Sequence, residues 1–136
     1  MEVTTMKIDH VAMYVNDLEA EKDFFVKYFN ATAGSKYTTF RGDFSNYCLR
    51  WSDGSRLEIM TDTSADAKKA SYRTGINRFY FLADDRKEVD DIMNKLAADG
   101  VIVEIPRENA EGYYEAVVVD PEGNEIVVGT LIYIPF

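Results

Sequence analysis

The 136-residue chain has little of several things. It holds one cysteine, one histidine by count, one tryptophan and three prolines. A lone Cys48 forms no internal disulfide and leaves no CxxC or Cys/His zinc pattern, which fits a reducing compartment. One histidine, His10, leaves no Ser/His/Asp triad to argue, because it sits early in a strand-like run. No glycine-rich phosphate loop, dinucleotide fingerprint or nucleophile elbow is present. Positive charge is also scarce: 15 bases face 24 acids, for a net charge of -9. Nucleic acids and anionic membrane surfaces want a basic patch, so neither is expected as a partner. No apolar run reaches the length of a transmembrane helix. Residues 1–8 lack the basic and apolar stretches of a signal peptide, so a cytoplasmic location is expected.

What is present suits a packed core. Hydrophobic residues make up 46% of the chain and aromatics 13%. The length fits a single domain of 136 residues. Within it the same plan occurs twice. Lys7 to Val15 is rich in strand formers. Asn16 or Asp17 then caps a helix from about Leu18 to Phe29, with Leu18, Phe25, Tyr28 and Phe29 near helical spacing. Strand-like pieces follow at Ser35–Arg41, Asn46–Trp51 and Arg56–Thr61, and Asp53-Gly54 signals a two-residue hairpin turn. In the second half Ile76–Leu82 reads as a strand. Asp85 and Glu88 form a capping box, and Val89, Ile92, Met93, Leu96 and Ala97 mark an amphipathic helix that Asp99-Gly100 ends. Strands are expected at Val101–Ile105, Tyr114–Asp120 and Glu125–Gly129, the last two joined by a turn at Pro121 to Asn124.

Each half therefore reads β-α-β-β-β. The expected boundaries are a module over 6–62, a linker over 63–74, a module over 75–130 and an apolar tail over 131–136. The fold class is α+β: two βαβββ modules forming a curved mixed sheet with a cleft. One face of each sheet is covered by its own helix. The other stays open and offers a ligand site.

Alternation assigns the faces. Val11, Met13 and Val15 suit the helix side, leaving His10, Ala12 and Tyr14 on the open side. A two-residue Asp53-Gly54 turn sets Trp51 opposite Arg56, Leu49 opposite Glu58 and Tyr47 opposite Met60. Tyr47, Leu49, Trp51, Arg56, Glu58 and Met60 are then expected on the open face, with Cys48 turned toward the helix. Glu58 lies between Leu57 and Ile59, and a carboxylate there needs a partner, since an unpaired charge is costly to bury.

Three motifs carry a family resemblance: His10-Val11-Ala12, Leu57-Glu58-Ile59 and the turn Asp120-Pro121-Glu122-Gly123-Asn124, which follows a Gly-Tyr-Tyr-Glu stretch at 112–115. Over about 6–130 the chain resembles the vicinal oxygen chelate superfamily (glyoxalase, bleomycin resistance protein, extradiol dioxygenase), and small glyoxalase-like proteins of Gram-positive bacteria in particular. The resemblance implies a metal site with two ligands from each half, where the metal acts as a Lewis acid and a glutamate shuttles protons. The implied positions are His10, Glu58, Arg78 and Val127, spaced 68 residues apart for His10 and Arg78 and 69 for Glu58 and Val127. Arginine and valine offer a metal no lone pair. His10 and Glu58 would hold Zn, Ni or Mn weakly or not at all, with Arg78 as a fixed charge pairing Glu58 or an anionic ligand. Glu58 and Arg78 are the candidate catalytic residues. Tyr47, Trp51, Arg56, Tyr80, Arg107 and Tyr113 are candidate substrate-binding residues, and Tyr114 could join an aromatic pocket with the tyrosines.

The resemblance implies a homodimer that takes a small-molecule ligand. Two functions stay open: a glyoxalase-like lyase or isomerase (lactoylglutathione lyase-like) with a degenerate metal site, and a metal-free binding or sequestering protein of the bleomycin-resistance type without catalysis.

Overall fold

The computed structural model describes residues 7–65, 76 and 78–132. The expected linker beyond residue 65 and the tail beyond residue 132 lie outside them. The chain divides into two compact units, Met1–Lys69 and Ala70–Phe136.

In the first unit β1 (Val11–Tyr14) leads to α1 (Leu18–Phe29), then β2 (Thr32–Ala33), β3 (Tyr37–Thr38), β4 (Phe44–Arg50) and β5 (Arg56–Asp62). Asp17 starts the helix by accepting a hydrogen bond from the Ala20 amide at 3.0 Å, which satisfies one of the unpaired first-turn donors. Asn30 ends it in the left-handed region, with φ 58°. The sheet order is β1-β5-β4-β2, and β3 also pairs with β4. β1 runs parallel to β5, and β4 antiparallel to it. Leu18, Phe24, Phe25 and Phe29 of α1 are buried, as are Leu49, Leu57 and Ile59 of the sheet. Each such side chain contributes about 1.5–3 kcal/mol when fully buried, so this helix-on-sheet layer is what holds the unit together.

The second unit has β6 (Arg78–Leu82), α2 (Arg86–Ala98), β7 (Arg107–Glu108), β8 (Tyr113–Val119) and β9 (Glu125–Leu131). Asp85 caps α2 by accepting from the Glu88 amide at 2.9 Å. Val89, Met93 and Leu96 are buried under the helix, as the spacing predicts. The sheet order is β6-β9-β8-β7, again with a parallel first pair and an antiparallel hairpin. That hairpin turns on Asp120, whose carboxylate accepts from the Glu122 and Asn124 amides at 2.9 and 2.8 Å and from the Asn124 side chain at 2.8 Å.

Three expectations need correction. Ser35–Arg41 is strand only at Tyr37–Thr38, and a further short strand, Thr32–Ala33, precedes it. Val101–Ile105 forms no continuous strand: it makes one isolated bridge, Val103 to Val118, while Ile102 and Ile105 are largely exposed. Pro106 lacks an amide hydrogen and cannot extend a ladder, and the edge strand resumes only at Arg107. The β4–β5 hairpin is also shifted by one residue. Arg50 pairs with Arg56, leaving 51–55 as a five-residue loop, which the Trp51 amide closes by donating to the Ser55 carbonyl at 3.0 Å. Because side chains alternate, that shift moves every β4 residue to the other face.

Candidate functional site

The open face of the first unit collects polar groups around Glu58. Glu58 lies in register with Ala12 on one side and with Cys48 on the other, so Cys48 shares its face rather than pointing to the helix. One Glu58 oxygen accepts from the Asn46 amide group at 2.6 Å. The other stands 3.7 Å from His10 Nε2, too far for a hydrogen bond. His10 Nδ1 lies 2.8 Å from the Asp9 carboxylate, and Asp9 also pairs with Arg56. The hydrogen bond with His10, and then that with Arg56, hold the Asp9 carboxyl below the usual range. In the tautomer that donates Nδ1–H to Asp9, Nε2 is left on the side of Glu58. A carboxylate behind a histidine in this way fixes the tautomer a metal ligand requires.

Tyr47 and Trp51 are not on this face. Tyr47 pairs with the fully buried Ile59 and donates its hydroxyl to Glu19 of α1 at 2.7 Å. Trp51 donates its indole N–H to the Phe29 carbonyl at 2.6 Å and meets the Phe25 ring edge-on. Leu49 is buried against Leu57. Tyr114 is likewise on the helix side of its sheet, with its hydroxyl donated to Asp90 at 2.6 Å and Arg86 over its ring. The helix side claims all four because the one-residue register shift, or the alternation along β8, turns them inward.

In the second unit Tyr80 is in register with Val127, as Ala12 is with Glu58. Val127 is therefore the strand equivalent of Glu58, and Arg78, two residues before Tyr80, that of His10. Arg78 lies 3.3 Å from Glu125 of the neighbouring strand, an acid within its own unit. Tyr80 and Tyr113 do come together, ring centroids 5.4 Å apart in an edge-on pair. Arg107 is in register with Glu115. Glu115 and Asn109, which sequence reasoning passed over, complete this face: Asn109 donates its amide to Glu115, and so does the Tyr80 hydroxyl.

His10 and Glu58 fit two positions of a divalent metal shell. Arg78 and Val127 fit none, since one is all donors and the other has no heteroatom. Among the described residues no three His, Cys, Asp or Glu side chains gather as a metal site. The four-ligand centre does not match the residues present. No helix among the described residues is long and apolar enough to cross a membrane.

With this geometry in view, the comparisons place the chain. The Glyoxalase/Bleomycin resistance protein/Dioxygenase superfamily profile matches residues 7–128. The chain belongs to that superfamily. No curated protein matches it. Among solved structures it is similar to a possible glyoxalase from Bacillus cereus, at 29% identity, covering 91% of this chain and 98% of that one with a TM-score of 0.70. A glyoxylase/bleomycin resistance protein/dioxygenase domain from Frankia sp. EAN1pec shares the fold at 12% identity, with 94% and 93% covered and a TM-score of 0.82. So does the genomically encoded fosfomycin resistance protein FosX from Listeria monocytogenes, at 18% identity, with 92% and 93% covered and a TM-score of 0.73.

Proposed function

We propose that this chain is a small-molecule-binding member of its superfamily whose metal site is degenerate, and that it binds without a resident metal. The observation that carries this reading is the pair of strand equivalences: Val127 stands where Glu58 does, and Arg78 where His10 does. Two protein ligands alone give weak metal binding, because affinity and selectivity come from a full set of donors in a fixed geometry. Ligand binding then rests on the polar and aromatic groups of the open sheet faces. A homodimer in the cytoplasm belongs to the same reading, and light scattering on the purified protein tests the dimer.

The second reading, a glyoxalase-like lyase or isomerase related to lactoylglutathione lyase, draws on the Asp9-held tautomer of His10 and its approach to Glu58. There Glu58 would accept a substrate proton. The two readings separate on metal. Protein purified without chelators should carry less than stoichiometric metal, and Zn, Ni or Mn should leave its melting temperature nearly unchanged. Stoichiometric metal, or a large stabilisation that His10→Ala abolishes, would sink the metal-free reading.

A further inference from the structure

The second unit carries a carboxylate that the first does not have in the same place. By register Glu115 pairs with Gly129 where Asn46 pairs with Met60. The carboxylate of Glu58's position has gone from β9, where Val127 stands, and one appears on the adjacent strand instead. Gly129 makes the arrangement possible. A Cβ built there would collide with the Tyr80 hydroxyl and lie 2.7 Å from the Glu115 Cβ. Without that Cβ, the Tyr80 ring lies across β9 and donates to a carboxylate two strands away.

The two donors on Glu115, the Tyr80 phenol and the Asn109 amide, are neutral. They occupy two of the roughly four acceptor sites of an ionised carboxylate. Arg107 is in register with Glu115, yet among the described residues it forms no ion pair with it. Among the described residues the charge is thus held in place by neutral donors. Beside it stand two tyrosine rings in an edge-on pair, with Tyr80 43% exposed, and Glu111 lies close enough to act on Tyr80 electrostatically. A carboxylate held by neutral donors next to exposed aromatic rings attracts a cation with an apolar surface, through both Coulomb attraction and the ring quadrupole.

We infer that Glu115, Tyr80 and Tyr113 form a binding site for a small organic cation, of the quaternary or alkyl ammonium class. This deepens the small-molecule-binding reading and rests on it. The test uses choline and the uncharged alcohol in which carbon replaces its quaternary nitrogen, titrated into the full chain by isothermal calorimetry and by NMR, with chelator present throughout. Choline should bind saturably and shift the Tyr80 and Tyr113 resonances, and the alcohol should bind roughly tenfold more weakly or not at all. Glu115→Gln should weaken choline by a similar factor, and Arg107→Ala should tighten it. Equal binding of choline and the alcohol, no saturable binding to the wild type, or undiminished binding to a folded Glu115→Gln would overturn the assignment. Should Glu115→Gln fail to fold, Tyr113→Leu takes its place, and the choline–alcohol comparison on the wild type decides in any case. Metal content, measured separately, tests the underlying reading without touching this one.

Discussion

Tyr80 lies over Gly129, its ring carbon Cζ 2.9 Å from where a Cβ at position 129 would stand. The backbone there is ordinary strand, so glycine is needed for space and not for an unusual φ. The crowding falls on the root of Glu115 as well as on the tip of Tyr80, and the first cannot swing aside. Gly129→Ala is therefore expected to destabilise the protein by about 1–3 kcal/mol, the usual cost of overpacking. Urea denaturation measures it. Tyr80→Ala should relieve part of that cost in the double variant, because the two residues share the same space.

Trp51 gives a second prediction, which follows from its true side of the sheet. Its indole N–H satisfies the last-turn carbonyl of Phe29. Trp51→Phe keeps an aromatic ring against Phe25 but leaves that carbonyl without this donor. A loss of about 1–2 kcal/mol is expected in chemical denaturation. Ligand binding should hold, since the ring faces α1. A folded Trp51→Phe that lost its ligand would contradict the β4–β5 register.

How much of this was legible beforehand depends on the range of the interaction. The span of α1 is read well because a cap at Asn16 or Asp17 and the apolar residues of one helix face are local signals, and the structure settles the cap on Asp17. The faces of β1 are read correctly because Val11, Met13 and Val15 alternate cleanly, although the strand covers only Val11–Tyr14 of the expected run from Lys7 to Val15. The β4–β5 hairpin misled because Asp53-Gly54 is the strongest short turn signal there is, while the loop actually spans 51–55. Matching Leu49 to Leu57 by hydrophobicity would have found the register. That one slip exchanged Cys48 for Leu49, and Asn46 for Tyr47, on the open face. Of the Glu115 cluster only the tyrosines Tyr80 and Tyr113 were legible; Glu115 and Asn109 were not. The cluster joins residues on β6, β8 and the loop after β7, and it hinges on a missing side chain in β9 between them.

The cap of α2 supplies a third test. Asp85 satisfies the Glu88 amide, and Glu88 adds negative charge in the first turn, where the helix dipole favours it. Asp85→Ala should cost about 1 kcal/mol, whereas Asp85→Ser, which can cap in the same way, should cost only a few tenths. Thermal melts of the two variants side by side check this. Equal losses would mean that the carboxylate charge, and not the capping hydrogen bond, is what matters at this position.

The Tyr80 hydroxyl should ionise well above the ordinary tyrosine value of 10.0, first because it is partly buried and then because it donates to Glu115. The sign of the linkage follows. The folded state holds the phenol proton more tightly than the unfolded chain does, so the contribution to stability is complete below about pH 10 and is lost as pH rises beyond it. Tyr47 and Tyr114 are also raised, each chiefly by a hydrogen bond to a carboxylate, so the titration must be read as a difference between wild type and Tyr80→Phe in tyrosinate absorbance. Glu115→Gln should return part of the Tyr80 shift toward the ordinary value, leaving the share due to burial. If Tyr80 titrates at its ordinary value in the folded protein, the phenol does not donate to Glu115, and the support that Gly129 makes room for is absent.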